Sequence, residues 1–414
     1  MTLPDTVKTI PSDIFNECSS LREMNFPSSL EVIEYDAFWG TGFTEIVLPD
    51  SVVSIWNYAF KNCVNLRSID LGNVVSLGDG VFMGCSELTS IVFPDTIRDL
   101  SGNYMFDGCS KLTQITFPSI PVAVEYSFLD GSGYYNDASN WENGVLYLNR
   151  HLITVNDDFV SKTEYTVKEG TICIANHAFV GAGISLKVKK ITLPEGLLSI
   201  GAGAFNKCSL LTETNIPSSV RYVGKDAYYE TALYQVGKTN YLDHWLLSYA
   251  PQSNQTKFVV EEGTVGIAEG KLFSSGAFSI TEVVLPDSLK VIGECNFESM
   301  SAVTSIKLSK SLERIGKDAF RYCYALSDLD LSVCTSLKTI EDYAFSFCKA
   351  MTRFYIPASV QELGEGVFNQ IPNVVVDFEI EESEIPAGWS KSWDFTYADV
   401  PVIANWGVKN DSSF

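Results

Sequence analysis

The residues of this chain whose types could do chemistry are ten cysteines, three histidines and carboxylates that recur in pairs. Cysteine could act as a metal ligand, a disulfide partner or a nucleophile. Seven of the ten, Cys18, Cys63, Cys85, Cys109, Cys208, Cys323 and Cys348, stand three residues after an aromatic side chain, a place that Thr41, Thr231 or Met300 fills elsewhere. That exchange describes a small buried slot in which a free thiol packs as a compact hydrophobe. No C-x-x-C pair offers zinc a local site. Stacked parallel units point neighbouring Cβ vectors the same way, which suits a disulfide poorly. A packing ladder is the expected role, with disulfides or a reactive or metal-bound thiol as alternatives. Cys173, Cys295 and Cys334 lie off the ladder and are the ones to test for reactivity.

His151, His177 and His244 are too few for a catalytic or metal cluster. Paired acids such as Asp328 and Asp330 could transfer protons, but same-face acids on an exposed strand are ordinarily solvated. The chain has no phosphate-binding glycine motif, no G-x-S-x-G and no H-E-x-x-H. No catalytic residue, metal or cofactor is therefore expected.

What positions all of these residues is a repeat. An aromatic anchor recurs at Phe15, Phe38, Phe60, Phe82, Phe106, Phe128, Phe179, Phe205, Tyr228, Phe273, Phe297, Phe320, Phe345 and Phe368. Eleven of the thirteen intervals are 22 to 26 residues, too short for a strand–helix–strand crossover, and the other two are 51 and 45. Around each anchor the chain follows A-F-x-x-C-x-x-L-x-x-I-x-L-P-x-x-V-x-x-I-G-x-x-A-F. Side chains alternate along a strand, so in the first apolar pair Ile69 and Leu71 point inward while Ser68 and Asp70 point outward. Proline after the strand (Pro27, Pro49, Pro94, Pro194, Pro286, Pro357) cannot donate to a further ladder bond and ends it. Glycine after the second apolar pair (Gly201, Gly224, Gly293, Gly316, Gly364) permits a tight corner. Such a unit cannot fold alone and buries its apolar face against the next.

The stretch Ile306-Lys307-Leu308 through Ile315-Gly316-Lys317-Asp318-Ala319-Phe320-Arg321-Tyr322-Cys323 closely resembles the BspA-like leucine-rich repeat of bacterial surface proteins, and the likeness runs over nearly the whole chain. The resemblance implies a leucine-rich repeat solenoid: a right-handed, curved stack of short parallel β-strands with turns and short helical or 3-10 segments, of roughly fifteen to eighteen coils. It also implies noncatalytic binding at the bacterial cell surface.

Domain boundaries follow from where the repeat breaks. The solenoid is expected over 1–371, with irregular hairpin-containing repeats at about 129–170 and 229–262, and a capping unit over 372–414. Val145–Ile153 aligns with Thr239–Leu247 at an offset of 94 residues, the mark of a higher-order duplication. The hairpins either bend and vary the solenoid or serve as binding loops. In the last segment, Trp389, Trp393 and Trp406 suit a cap over the open solenoid end, with a tryptophan-lined sugar site as the alternative. The chain enters its pattern mid-repeat after Met1, as a fragment or processed form would.

Composition limits the partners. There are 29 Lys+Arg against 51 Asp+Glu, a net charge of −22, the wrong sign for a nucleic acid backbone. No run of about 18 apolar residues could cross a bilayer, so no membrane insertion is expected. The outward strand face remains. Its positions are mostly small or polar, but Ser305, Lys307, Asp328, Asp330, Arg353 and Tyr355 would form a patch of mixed charge with an aromatic, the chemistry that recognition surfaces favour. A solvated face is the plainer reading. The expectation is a monomeric, extracellular or surface-bound interaction protein recognising a protein or glycan, with a structural spacer and, further off, a carbohydrate-active enzyme as alternatives. Asn254-Gln255-Thr256 and Asn410-Asp411-Ser412 are weak glycosylation matches, of little weight in a bacterium.

Overall fold

The computed structural model describes residues 2–180, 186–273, 279–396 and 401–409, so Asn410–Ser412 lies outside the described residues. It is a parallel β-solenoid of about 16 turns with very little helix. Among the described residues the helical segments include the four-residue Gly133–Asn136 and the 3-10 segments Ala138–Asn140, Asp157–Phe159 and Glu382–Glu384. By its contacts the chain forms two compact units, Met1–Val220 with Ala227–Ala232, and Arg221–Asp226 with Leu233–Phe414.

In the first unit the second apolar pair of each coil makes a parallel ladder: Thr9–Ile10, Val32–Ile33, Ser54–Ile55, Ser76–Leu77, Asp99–Leu100 and Ala123–Val124. The I-x-L segments make a second wall, with Glu45–Val47 against Ser68–Asp70, and Ser90–Val92 against Gln114–Thr116. The burial of Ser68–Asp70, exposed–buried–exposed, is the alternation expected.

The third wall is the A-F-x-x-C turn. Here Asp13, Phe15 and Glu17 donate their N–H groups to Tyr35, Ala37 and Trp39 of the next coil at 3.0, 2.9 and 2.7 Å, so even the turns are laddered and their backbone is satisfied. The anchor rings stack inside it. Phe38 and Phe60 lie 5.4 Å apart at 2°, and Phe60 and Phe82 6.1 Å apart at 7°. The stack turns edge-on at Phe128, where the first irregular repeat begins.

That repeat is the expected hairpin. Val145–Leu148 pairs antiparallel with His151–Val155, which then pairs parallel with Cys173–Ile174 and starts a new ladder. In the second unit Asn240–Leu242 and Trp245–Ser248 repeat the arrangement before Gly266–Ile267. From there the ladder runs through Val291–Ile292, Arg314–Ile315, Thr339–Ile340 and Glu362–Leu363 to Gly388–Trp389. The segment after Phe368 prolongs both walls, because Val375–Phe378 pairs with Arg353–Ile356 on one side and Ile403–Asn405 on the other. Trp389, Trp393 and Trp406 gather round Phe378 at 5.2, 5.1 and 4.3 Å. Their rings thus pack against Phe378 and one another.

Candidate functional site

The cysteines are all free, and most are buried. Five of the seven ladder thiols have a definite hydrogen-bond partner. Cys85, Cys109, Cys323 and Cys348 donate to the carbonyl of the anchor phenylalanine in an earlier coil (Phe60, Phe82, Phe297 and Phe320) at 3.0 to 3.2 Å. Thr41, in the same slot, lies 3.1 Å from Cys63 Sγ. The slot therefore wants a small apolar group with one weak donor, which explains both residue types. Burial pushes the thiols of Cys109, Cys208 and Cys323 up to about 12. The off-ladder cysteines are no more reactive. Cys173 and Cys334 are also pushed up to about 12 by burial, and Cys295 likewise, with Glu294 and Glu298 adding repulsion. Thiolate chemistry is disfavoured at each.

The histidines do not cluster. His151 is fully buried. Its Nε2 accepts from Val122 N–H at 3.4 Å, its ring meets Phe117 at 4.7 Å, and burial lowers its pKa to about 4. His177 pairs with the buried Glu125 at 2.8 Å, and that hydrogen bond raises its pKa. Among the described residues no group of three or more His, Cys, Asp or Glu could hold a metal ion. The partly buried Arg314 is gripped by Glu269 at 3.1 Å and Glu341 at 2.7 Å, and burial raises the Glu269 carboxyl in spite of it.

On the strand face, Ser305, Lys307 and Asp328 come together on one four-stranded ladder, where Ser305 pairs with Asp328 and donates to its carboxylate at 3.0 Å. The Asp330 carboxylate turns back to accept from Ser332 N–H at 2.8 Å. Arg353 and Tyr355 stand on a separate three-stranded ladder. The coil from Leu329 to Phe354 is two residues longer than the one before it, and strand pairing lapses across it. Arg353 is paired with the buried Asp377, whose other oxygen accepts from Asn405 at 2.8 Å. The Tyr355 hydroxyl is buried, and burial with Glu379 and Asp377 nearby pushes it up to about 12. Elsewhere on the same wall, Lys257 and Glu282 pair between adjacent rungs at 2.7 Å, and Lys190 pairs with Glu213. Cross-rung pairs of this kind use much of the face's charge on itself.

The turn wall carries a surface that sequence spacing did not single out. Two residues after most of the described anchors the backbone is left-handed, and the coils put Glu17, Gly40, Asn62, Gly84, Gly108, Lys207, Glu230, Ser299 or Gln370 there, while after Phe128 the left-handed residue is Gly131. Tyr322 (φ 63) and Phe347 (φ 62) occupy the same place in successive coils. A bulky residue in that conformation costs roughly 1–2 kcal/mol. Their rings lie 4.8 Å apart, and Tyr324, 44% exposed, is 6.0 Å from Tyr322. Arg321 sits over Tyr322 at 4.7 Å, and Lys349 over Tyr324 at 5.5 Å and Phe347 at 5.8 Å. A signal was present in the sequence, in that the second place after the anchor is aromatic only in these two repeats.

The family described as "BspA type Leucine rich repeat region (6 copies)" matches residues 1–113, 32–134, 157–244 and 269–386. The chain belongs to this BspA-type leucine-rich repeat family. Three solved structures are similar to it. A leucine-rich repeat protein from Bacteroides ovatus shares 20% identity over 99% of this chain and 77% of its own, with a TM-score of 0.30. A leucine rich cell surface protein from Faecalibacterium prausnitzii shares 20% identity over 93% and 89%, with a TM-score of 0.33. The pneumococcal vaccine antigen PcpA shares 18% over 98% and 78%, with a TM-score of 0.27. No curated protein matches in sequence. Among the described residues no helix is long and apolar enough to cross a membrane.

Proposed function

We propose that this chain is a noncatalytic interaction protein that acts outside the cell or at the bacterial cell surface and recognises a protein or glycan through its solenoid walls. The observation that carries the reading is the repeat itself, a run of family coils that sets outward side chains at regular rungs while every inward position is given to packing. Recognition on such a scaffold resides in the variable outward positions, and its anchors would be the aromatic and Arg residues, Arg353 and Tyr355 among them. The cross-rung pairing of Lys190 with Glu213 and Lys257 with Glu282 favours a second reading, a spacer whose strand face is merely solvated. The two separate in one experiment. Wild type and the Arg353→Ala/Tyr355→Ala variant are compared for binding to a fixed panel of purified extracellular proteins and glycans. A ligand bound by wild type and lost by the variant supports recognition at that face. Equal binding by both removes the face from the proposal, and no binding by either favours the spacer.

A further inference from the structure

The strand wall pairs charge across its rungs, while on the turn wall of the second unit Lys349 stands on aromatic rings with no ion pair among the described residues. There Tyr322 and Phe347 hold left-handed backbone that other coils give to glycine or to polar residues such as Glu17, Asn62 and Lys207, and both rings are partly exposed. Strain retained on a surface, where a glycine would relieve it without disturbing any core, points to a use for the rings. Their setting indicates what that use is. Three aromatic faces, Tyr322, Phe347 and Tyr324, succeed one another at 4.8 and 6.0 Å, about the span of one pyranose ring. Two cations stand on them. Arg321 Nη1 reaches Asp318 at 3.2 Å, while Lys349 has no ion pair among the described residues. Tyr343 completes the floor. Its hydroxyl is tied to Glu365 at 2.6 Å and its ring lies against Gly366 of the next coil, so it cannot swing away.

We infer that this surface, formed by Arg321, Tyr322, Tyr324, Tyr343, Phe347 and Lys349, is a binding site for an acidic glycan. Sugar rings stack on the aromatic faces, and a ring carboxylate pairs with the Lys349 ammonium beside them. A flat, amphipathic ligand suits these neighbouring, mutually tilted rings, and an anion suits a lysine that stands on them with no ion pair among the described residues. In a chain carrying −22 overall, general charge attraction would not hold a polyanion, so its binding reports a local site. This deepens the interaction-protein reading and rests on it, but uses a different wall from Arg353 and Tyr355.

The test is affinity electrophoresis of the full chain in native gels cast with polygalacturonate or with neutral dextran. Wild type should be retarded by polygalacturonate, less so as salt is raised, and not by dextran. Tyr322→Gly/Phe347→Gly should bind at least about tenfold more weakly while its thermal midpoint stays level or rises, because glycine relieves the left-handed strain. That second readout separates a lost site from a lost fold. Lys349→Gln should weaken retardation by polygalacturonate, and Arg353→Ala/Tyr355→Ala should leave it unchanged. No retardation of wild type, equal retardation by dextran, or unchanged binding by the glycine variant would overturn the inference. If wild type still binds a ligand of the panel through Arg353 and Tyr355, such a failure leaves the broader reading standing.

Discussion

The two hairpin repeats solve one problem with different chemistry. Both turn at a left-handed residue, Asn149 (φ 50) and Asp243 (φ 47), and both use a tyrosine hydroxyl to accept a backbone N–H, Tyr147 from Lys168 and Tyr241 from Glu261, each at 3.2 Å. They part at the strand that rejoins the solenoid. In the first, His151 lies opposite Cys173, and the two share Val122: its N–H donates to the imidazole at 3.4 Å and its carbonyl accepts the thiol at 3.4 Å. In the second, Trp245 lies opposite Gly266, and a Cβ on that glycine would come within 2.5 Å of the indole. One pair satisfies a strand end by hydrogen bonds and the other fills the same space with a ring. The lesson is that register is inherited through the turn while the core contact is free to change, provided both partners change together.

Importing the first solution into the second repeat should do the most damage. Gly266→Cys places a side chain in the indole and should cost about 3 kcal/mol of local stability, read as lost hydrogen-exchange protection in that hairpin. Trp245→His/Gly266→Cys should recover a large part, and a double variant no better than the single would break the comparison.

Acid should separate the repeats next. His151 is neutral when folded, and its pKa falls from 6.5 to about 4, so below 6.5 the unfolded chain takes up a proton that the folded one refuses. Stability near the first hairpin should therefore drop between pH 6.5 and 4, by up to about 3 kcal/mol, and His151→Leu should flatten that dependence. The second hairpin has Trp245 at this place and should show no such fall. His177 works in the opposite direction: its raised pKa gives stability that is complete below 6.5 and lost as pH rises, so it is best measured in the His151→Leu background.

A smaller effect belongs to Gly203. It is left-handed (φ 56), and its Cβ would meet the His177 ring at 2.5 Å, but that ring is partly exposed and can move. Gly203→Ala should cost roughly 1–2 kcal/mol by thermal unfolding, less than Gly266→Cys, whose indole is enclosed. Last, Tyr147→Phe and Tyr241→Phe should each lose about 1 kcal/mol of hairpin stability. Tyr147→Phe should lose slightly more, because Tyr147 also bonds Tyr165 at 2.8 Å. Equal protection in both variants and wild type would dissolve the shared design.

The coil itself was legible, since Ile69 and Leu71, Pro49 and the anchor Phe60 each act through a local rule of alternation, strand termination or spacing. Both hairpins were legible for the same reason. What depends on the neighbouring coil was not. A cysteine reads as a small hydrophobe until the carbonyl of an earlier phenylalanine is seen above it. The strand-face patch read as continuous because rung positions were counted without the effect of two extra residues before Phe354. Tyr322 and Phe347 were not singled out, because nothing in their spacing says that the backbone there is left-handed.

The ring of one coil resting on the glycine of the next recurs at Tyr58 with Gly80, His177 with Gly203, Trp245 with Gly266, and Tyr343 with Gly366. At these four junctions neighbouring coils are keyed to one another, and deleting, inserting or shuffling one of these coils alone would set a Cβ against a ring. An array of this kind grows by copying blocks that carry their own keys, and the repeat displaced by about 94 residues is a block of that size.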